Sequence, residues 1–285
     1  MTALVKQPRL CAEFRPGPGG VELYFHVEGR GRFLIGRESE IGNQPGPRLK
    51  IAPQTTRTYA DIGGNAAINK ARGLPHIDDA PMFGGAVSIC GPGPGLVPLL
   101  DSVALDQKRG GQVWALKGTW RAIVSRGTIP DAVLMMDGHP SQVAYTAGAP
   151  GGMRWYLASM AAPAVFDALA DEDVVTWDAA EGKGLSIGAH AVLLAAQRGF
   201  SDIRLYGFDC SWTGEKSHLY ELANRQAAAA ADPIEAFHNG ERYTTTREMA
   251  VEARQIMRLI RTLRARVAIC GGGLLPDLWR GDRGH

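Results

Sequence analysis

The sequence predicts an α/β protein with a doubly wound, mostly parallel sheet that follows a small β-rich extension at the N-terminus. Two observations lead to this prediction. From about residue 75 onward, short apolar runs of the kind that are buried on both faces of a parallel sheet alternate with helix-like segments. Before that point, strand-like segments separated by turn residues are typical of antiparallel pairs. We therefore place the extension at residues 1–65 and the main domain at residues 66–285.

The extension is predicted to contain a β-hairpin. The segments VELYFHV (21–27) and RFLIG (32–36) flank the tetrapeptide Glu28-Gly-Arg-Gly31, and a glycine-containing turn between two such runs is typical of a hairpin. The segment RLKIAP (48–53) is predicted to add a third strand.

The main domain is predicted to alternate strands with helices. The predicted strands are 85–90, 113–116, 132–137, 154–159, 173–177, 202–207 and 266–270. The predicted helices are 96–109, 118–126, 163–170, 187–198 and 246–265. The last of these places Met249, Ala253, Ile256 and Ile260 on one face, as an amphipathic helix requires. Repeated β-α-β units of this kind predict a Rossmann-like sheet.

Composition narrows the classes of function. A formal net charge of +2 argues against a nucleic-acid binder that works through bulk charge. No apolar run approaches the ~20 residues of a membrane-spanning helix, and the first twenty residues lack the apolar core of a signal peptide, so we expect a cytoplasmic protein without membrane contacts. The four cysteines form no Cys-x-x-Cys pair, which disfavours metal clusters and disulfide frameworks.

The segment SICGPGPGL (88–96) is the first candidate site. It leaves an apolar strand and places Gly91, Gly93 and Gly95 around two prolines before the next helix. Backbone N–H groups in such a loop can hold an anion at a helix start, so the three glycines are predicted to bind phosphate. The spacing matches neither the dinucleotide fingerprint nor the Walker A loop, and a tight structural turn is the alternative interpretation.

Further candidates follow other strands, because ligands of open parallel sheets bind beyond the strands' carboxyl ends. Lys117 follows one strand, and Asp137 and Asp209 follow two more. Two carboxylates at one edge suit a divalent cation such as Mg²⁺ or a ribose diol, although each could instead cap a turn.

Two loop segments complete the candidate site. His218, nine residues after Asp209, is predicted to act as a general acid or base near neutral pH, although a lone loop histidine is more often a surface residue. Asp209 and His218 together are the predicted catalytic pair. In EGKGLSIGAH (181–190), Ser186 is a predicted N-cap, and Lys183 could reach a phosphate as a point charge. Both residues are also predicted to contact the bound nucleotide.

These segments together resemble the 6-hydroxymethylpterin diphosphokinase MptE-like family. The resemblance covers roughly residues 65 to 279 and is carried by SICGPGPGL, by IPDAVLMMD and by SIGAHAVLLAAQRGFSDIRLYGFDCSW with the later SHLY. The resemblance implies a Rossmann-like fold. The family includes enzymes that use magnesium to transfer diphosphate from ATP to a hydroxymethylpterin. The family is also similar to sialyltransferase-like and flagellin-modifying glycosyltransferases.

The resemblance also implies roles for individual residues. The three loop glycines would hold nucleotide phosphates, Asp137 and Asp209 would lie at the nucleotide or metal edge, and His218 would face the acceptor. This sequence departs from the family pattern at Gly95, where the family usually has serine, and at Lys117, where it often has asparagine.

The sequence-based prediction is thus a nucleotide-dependent transferase, with diphosphate transfer from ATP to a hydroxymethylpterin-like acceptor as the first interpretation. Glycosyl transfer from a nucleotide sugar is the first alternative, and a non-catalytic nucleotide-binding protein is the second. The predicted partners are a small-molecule nucleotide and its acceptor, with association into a homo-oligomer through the hairpin region as a further prediction.

Overall fold

The computed structural model describes residues 10–17, 20–28, 31–34, 59–179, 186–212, 218–219 and 233–282. The strand predicted at 48–53 and the candidate Lys183 lie outside these residues.

In the described part of the chain, twelve strands form two sheets. In chain order they are β1 (Leu10–Gly17), β2 (Gly20–Val27), β3 (Gly31–Leu34), β4 (Ala86–Cys90), β5 (Gln112–Leu116), β6 (Ala132–Met135), β7 (Arg154–Ala158), β8 (Val174–Trp177), β9 (Asp202–Tyr206), β10 (Ile234–His238), β11 (Glu241–Thr245) and β12 (Arg266–Cys270). The large sheet has seven strands in the order β12-β9-β4-β5-β6-β7-β8, and every pair in it is parallel. The Rossmann-like α/β prediction is confirmed.

The described helices pack on both faces of the large sheet. They are α1 (Tyr59–Lys70), α2 (Leu100–Lys108), α3 (Trp120–Val124), α4 (Pro163–Ala168), α5 (Ile187–Gln197), α6 (Arg247–Thr262) and α7 (Leu274–Asp282). One apolar core holds buried side chains of α5, α6 and α7, and the other holds those of α2, α3 and α4. The helix predicted at 96–109 is divided, since a 3-10 segment (Pro94–Leu99) that contains Pro98 precedes α2. None of the described helices is long and apolar enough to cross a membrane.

The smaller sheet has five strands in the order β11-β10-β1-β2-β3. The predicted hairpin is confirmed as the antiparallel pair β2 and β3. However, β1 pairs in parallel with β10, so the sheet combines N-terminal strands with a hairpin from the far end of the chain. Phe14, Leu23 and Phe25 face the same apolar core as α6, which places this sheet against the main domain. The boundary at residues 65 and 66 stays a prediction.

The strand order locates the crevice where a ligand of such a sheet would bind. From β4 the chain moves outward through β5, β6, β7 and β8, and α5 then returns it to β9 on the other side of β4. The order therefore reverses between β4 and β9. Ligands of open α/β sheets bind beyond the carboxyl ends of the strands at such a switch point.

Candidate functional site

The glycine-rich loop after β4 is hydrogen-bonded to the loop after β9. The backbone N–H of Gly91 donates to the carbonyl oxygen of Tyr206 at 2.8 Å, and that of Gly93 donates to Gly207 at 2.8 Å. The N–H of Gly95 donates to Oδ2 of Asp209 at 2.7 Å. The three donors that we predicted to hold a phosphate are thus engaged by the protein itself in this structure, and a phosphate would have to displace these acceptors.

The close approach of these two loops explains why glycines are needed. A Cβ atom on Gly93 would lie 2.6 Å from the carbonyl oxygen of Gly207 and 2.7 Å from Cγ of Asp209, and one on Gly91 would lie 2.7 Å from the same carbonyl. Gly207 itself has a left-handed backbone (φ +68°), which glycine adopts without steric penalty. Packing of chain against chain therefore accounts for the glycines, and phosphate binding by them stays a prediction.

Asp209 is buried at the switch point with one oxygen unused. Asp209 is 2% exposed, and its Oδ1 has no hydrogen-bond partner among the described residues. Burial raises the pKa of Asp209, and the hydrogen bond from Gly95 opposes that effect. A buried acceptor without a partner is costly, so a donor from a ligand or from water would stabilise this side chain. The structure therefore gives Asp209 a free acceptor at the predicted site.

Lys117 places a positive charge at the neighbouring strand end. It directly follows β5 and has a left-handed backbone (φ +50°), which costs a non-glycine residue about 1–2 kcal/mol. Its Nζ lies 3.6 Å from Oδ2 of Asp137, and both side chains are partly exposed. Strained backbone of this kind is concentrated at functional sites, so the geometry of Lys117 favours its predicted ligand-binding role.

The structure brings Asp137 to Lys117 rather than to Asp209. The other oxygen of Asp137 accepts a hydrogen bond from the N–H of His139 at 3.0 Å, a local turn interaction that the sequence allowed as an alternative. The strands β6 and β9 that carry the two aspartates are separated by β4 and β5, a spacing of about 14 Å at ~4.8 Å per strand. Among the described residues, no group of three or more His, Cys, Asp or Glu side chains is arranged to hold a metal ion. The aspartates thus do not fit a shared magnesium site, and magnesium stays a prediction.

His218 lies beside the glycine-rich loop. The N–H of its neighbour Leu219 donates to the carbonyl oxygen of Pro92 at 2.8 Å. Burial, assisted by the positive charge of Lys117, lowers the pKa of His218 to about 4. The imidazole is therefore neutral at pH 7 and is a weaker base than an exposed histidine. This makes His218 less suited to acid–base catalysis near neutral pH than the sequence suggested, and its catalytic role stays a prediction.

Ser186 caps α5 and also donates a hydrogen bond to a carboxylate that was not among the predicted site residues. Its Oγ accepts a hydrogen bond from the N–H of Ala189 at 3.1 Å and donates one to Oε1 of Glu252 at 2.5 Å. A Cβ on Gly188 would lie 2.7 Å from the same Glu252 oxygen, so this glycine makes room for the carboxylate. The capping prediction for Ser186 is confirmed, whereas contact of Ser186 with a ligand stays a prediction.

The charges of these residues affect one another. Burial raises the pKa of Glu252, while the hydrogen bond from Ser186 and the charge of Lys117 oppose that effect. Lys117 also lowers the pKa of His218, where its charge adds to the effect of burial, and burial together with the charge of Glu252 raises the pKa of Cys210. We call Lys117, Asp137, His218, Ser186 and Glu252 the charged edge.

Comparison with known proteins identifies the fold. The MAf glycosyltransferase from Magnetospirillum magneticum AMB-1 superposes with a TM-score of 0.52 at 16% sequence identity. The match covers 74% of this chain and 38% of that protein. Neither a protein-family model nor a curated protein matches the chain. At this identity the likeness concerns the fold alone: the chain has a Rossmann-like α/β fold of the kind that a glycosyltransferase also has.

Proposed function

We propose that the protein is a glycosyltransferase that uses a nucleotide sugar as its donor. The observation that carries the proposal is Lys117, a cation held in a strained backbone beside the switch point, with the neutral His218 and the carboxylate of Glu252 within electrostatic range. The fold shared with a glycosyltransferase supports it, as does the sequence resemblance to a family similar to glycosyltransferases.

In this proposal Lys117 binds the donor phosphate that leaves. Transfer of the sugar breaks the bond between the anomeric carbon and a phosphate oxygen, so negative charge grows on that oxygen in the transition state. A preorganised cation in a partly buried site stabilises such charge more than water does. Asp137, at 3.6 Å, holds the ammonium group in position when no donor is bound.

Asp209 is assigned to the nucleoside rather than to a metal. Its unused Oδ1 lies at the switch point, where a carboxylate commonly accepts hydrogen bonds from ribose hydroxyl groups. His218, uncharged and next to the glycine-rich loop, can donate or accept a hydrogen bond near the same ligand.

Diphosphate transfer from ATP to a hydroxymethylpterin-like acceptor, the activity that the MptE-like resemblance implies, is the second candidate. It requires the site to bind a triphosphate and to stabilise the transferred group, which phosphoryl-transfer enzymes do with metal ions and several donors. The donors of the glycine-rich loop are engaged, and the two aspartates lie on strands about 14 Å apart. These features make the glycosyl donor the better-supported substrate.

A binding and turnover panel tests the proposal. Thermal shift and calorimetry would compare UDP-N-acetylglucosamine, GDP-mannose, CMP-N-acetylneuraminic acid and ATP, each with magnesium and with chelator. A ligand at 100 times its dissociation constant adds about 2.7 kcal/mol of stability, which is readily measured. We expect at least one nucleotide sugar to stabilise the protein and to release its nucleotide slowly to water.

Each outcome of the panel has a distinct meaning. Stabilisation by ATP with magnesium but by none of the sugar donors would replace glycosyl transfer with diphosphate transfer. Binding of a sugar donor without release of nucleotide, in the presence of a broad acceptor panel, would indicate a non-catalytic nucleotide-binding protein.

A further inference from the structure

We infer that Glu252 of α6, and not His218, is the general base that accepts the proton of the attacking acceptor hydroxyl. The inference rests on the proposed glycosyl transfer and assigns the step that the proposal leaves open. It is carried by the position of the Glu252 carboxylate at the charged edge.

The carboxylate of Glu252 is held in one place by α5. The hydroxyl of Ser186 donates to Oε1 at 2.5 Å. Gly188 leaves space for the carboxylate, because the Cβ atom of any other residue at this position would lie 2.7 Å from Oε1. Ser186 is itself fixed, because its Oγ caps the N–H of Ala189 at 3.1 Å. A base must be oriented before it can act in a transition state, and this arrangement supplies that orientation.

The electrostatic environment of Glu252 includes the cation of the proposed site, because the charge of Lys117 acts on its carboxylate. The groups that face Glu252 come from three elements: Lys117 after β5, Cys210 after β9, and Ser186 at the start of α5, whose carbonyl oxygen also contacts the ring of His190.

The two candidate bases are affected by burial in opposite directions. Burial raises the pKa of Glu252 from its ordinary value of 4.5, which makes the carboxylate a stronger base. Burial and Lys117 lower the pKa of His218 to about 4, which makes the imidazole a weaker one. A general base is most effective when its pKa lies near the working pH, so the environment favours the carboxylate.

The proposed step is balanced without any further reactant. The acceptor oxygen forms a bond to the anomeric carbon while its proton passes to a carboxylate oxygen of Glu252. The bond from the anomeric carbon to the donor phosphate breaks, and its electron pair remains on the phosphate oxygen, where Lys117 meets the charge. The proton on Glu252 then returns to solvent.

The test compares Glu252→Gln with a matched carboxylate-to-amide change on the same helix, Glu248→Gln. Glutamine keeps an oxygen that can accept the hydrogen bond from Ser186 but cannot take up a proton. The measurements are calorimetric binding of UDP, GDP and CMP, and the rate at which the three donor sugars named above release nucleotide to water across pH. We expect Glu252→Gln to retain nucleotide affinity, to lower the release rate by on the order of 10²–10⁴-fold and to abolish its acidic limb. Glu248→Gln should change none of these.

A second measurement needs no donor. Because the pKa of Glu252 is raised in the folded protein, the wild type loses stability as pH rises from about 4.5 through the folded pKa. The melting temperature of Glu252→Gln relative to wild type should therefore be higher at pH 8 than at pH 4.

These two measurements separate the inference from the proposed function. Nucleotide release at the wild-type rate by Glu252→Gln would overturn the assignment of the base and leave glycosyl transfer standing. Absence of binding and release for all donors in the wild type would overturn the proposed function. In that case an equal change of melting temperature at pH 4 and pH 8 would still overturn the role given to Glu252.

Discussion

The replacement Lys117→Asn should separate stability from ligand binding. Lysine at this position has a left-handed backbone (φ +50°), and asparagine tolerates that conformation better than lysine does. Asparagine has no positive charge, so the variant removes the cation from the charged edge while it relieves the backbone.

The expected size of each effect follows from the structure. Relief of a left-handed backbone contributes about 1–2 kcal/mol. Loss of the pair with Asp137 offsets this by about 0.2–1 kcal/mol, since the pair is 3.6 Å long and its side chains are 25% and 41% exposed. The variant should therefore be as stable as wild type or more stable by up to about 2 kcal/mol, and each kcal/mol raises the melting temperature by roughly 2–4 °C. Loss of a charged hydrogen bond to phosphate is worth about 1.5–3 kcal/mol, so nucleotide binding should weaken about 10- to 150-fold.

The control reverses the exchange at a site remote from the charged edge. Asn239 has the same left-handed backbone (φ +49°) in the turn between β10 and β11, so Asn239→Lys should destabilise the protein by about 1–2 kcal/mol and leave nucleotide affinity unchanged. Chemical denaturation and calorimetry with UDP, GDP and CMP would measure both variants. Destabilisation of Lys117→Asn by more than 1 kcal/mol, or unaltered affinity for every nucleotide that binds the wild type, would refute this reasoning.

Three further predictions concern the same loops and can be checked by chemical denaturation. Gly93→Ala should lower the free energy of unfolding by about 1–3 kcal/mol, because its Cβ would lie 2.6 Å from a carbonyl oxygen, whereas Gly63→Ala, whose Cβ in α1 would have no described atom within 4 Å, should raise it by roughly 0.5–1 kcal/mol. Asp209→Asn should reduce the loss of stability that the wild type shows as pH rises from 3.8 through the raised pKa of the folded carboxyl; an unchanged pH profile would contradict this. As pH falls from 6.5 to 4, the wild type should lose up to about 3 kcal/mol of stability through His218, because its imidazole binds a proton in the unfolded chain but stays neutral when buried. His218→Gln should lack this loss. Equal acid sensitivity of variant and wild type would show that His218 is not the cause.

The large sheet could be predicted because its information is local. Each strand is a short apolar run, and burial on both faces leaves no polar alternation to confuse with a surface strand. The right-handed crossover rule then fixes the doubly wound architecture without any knowledge of distant contacts.

The smaller sheet could be predicted only in part because its central pairing is distant in sequence. The strand β1 pairs with β10, and Cys11 lies opposite Glu235. The hairpin of β10 and β11, which we did not predict, nevertheless has a local sequence signal: Asn239-Gly240 lies between the two strands, and both residues have positive φ angles. Asn-Gly is the strongest short-range sequence signal for a two-residue hairpin turn.

The site shows where reasoning from the sequence fails. A glycine-rich loop that binds phosphate and one that packs against another loop have the same residues, and what distinguishes them here is the carboxylate of Asp209, 114 residues after Gly95. Glu252 left a weaker signal. It lies three residues after Met249 and four before Ile256, so it interrupts the apolar face of α6, and a carboxylate on such a face needs a partner or a task.

The two buried carboxylates also bear on the choice of donor. At the helical segment that starts at Pro94, the N–H of Gly95 donates a hydrogen bond to the carboxylate of Asp209. At the start of α5, the hydroxyl of Ser186 donates one to the carboxylate of Glu252. Carboxylates of the protein therefore already lie at both helix starts. A ligand phosphate at either helix start would meet like charge, and the positive charge of Lys117 is already shared with Asp137. ATP carries more negative charge than a nucleotide sugar, and this edge offers less compensation for it. The electrostatics of the described residues therefore favour the less charged donor, independently of the fold comparison.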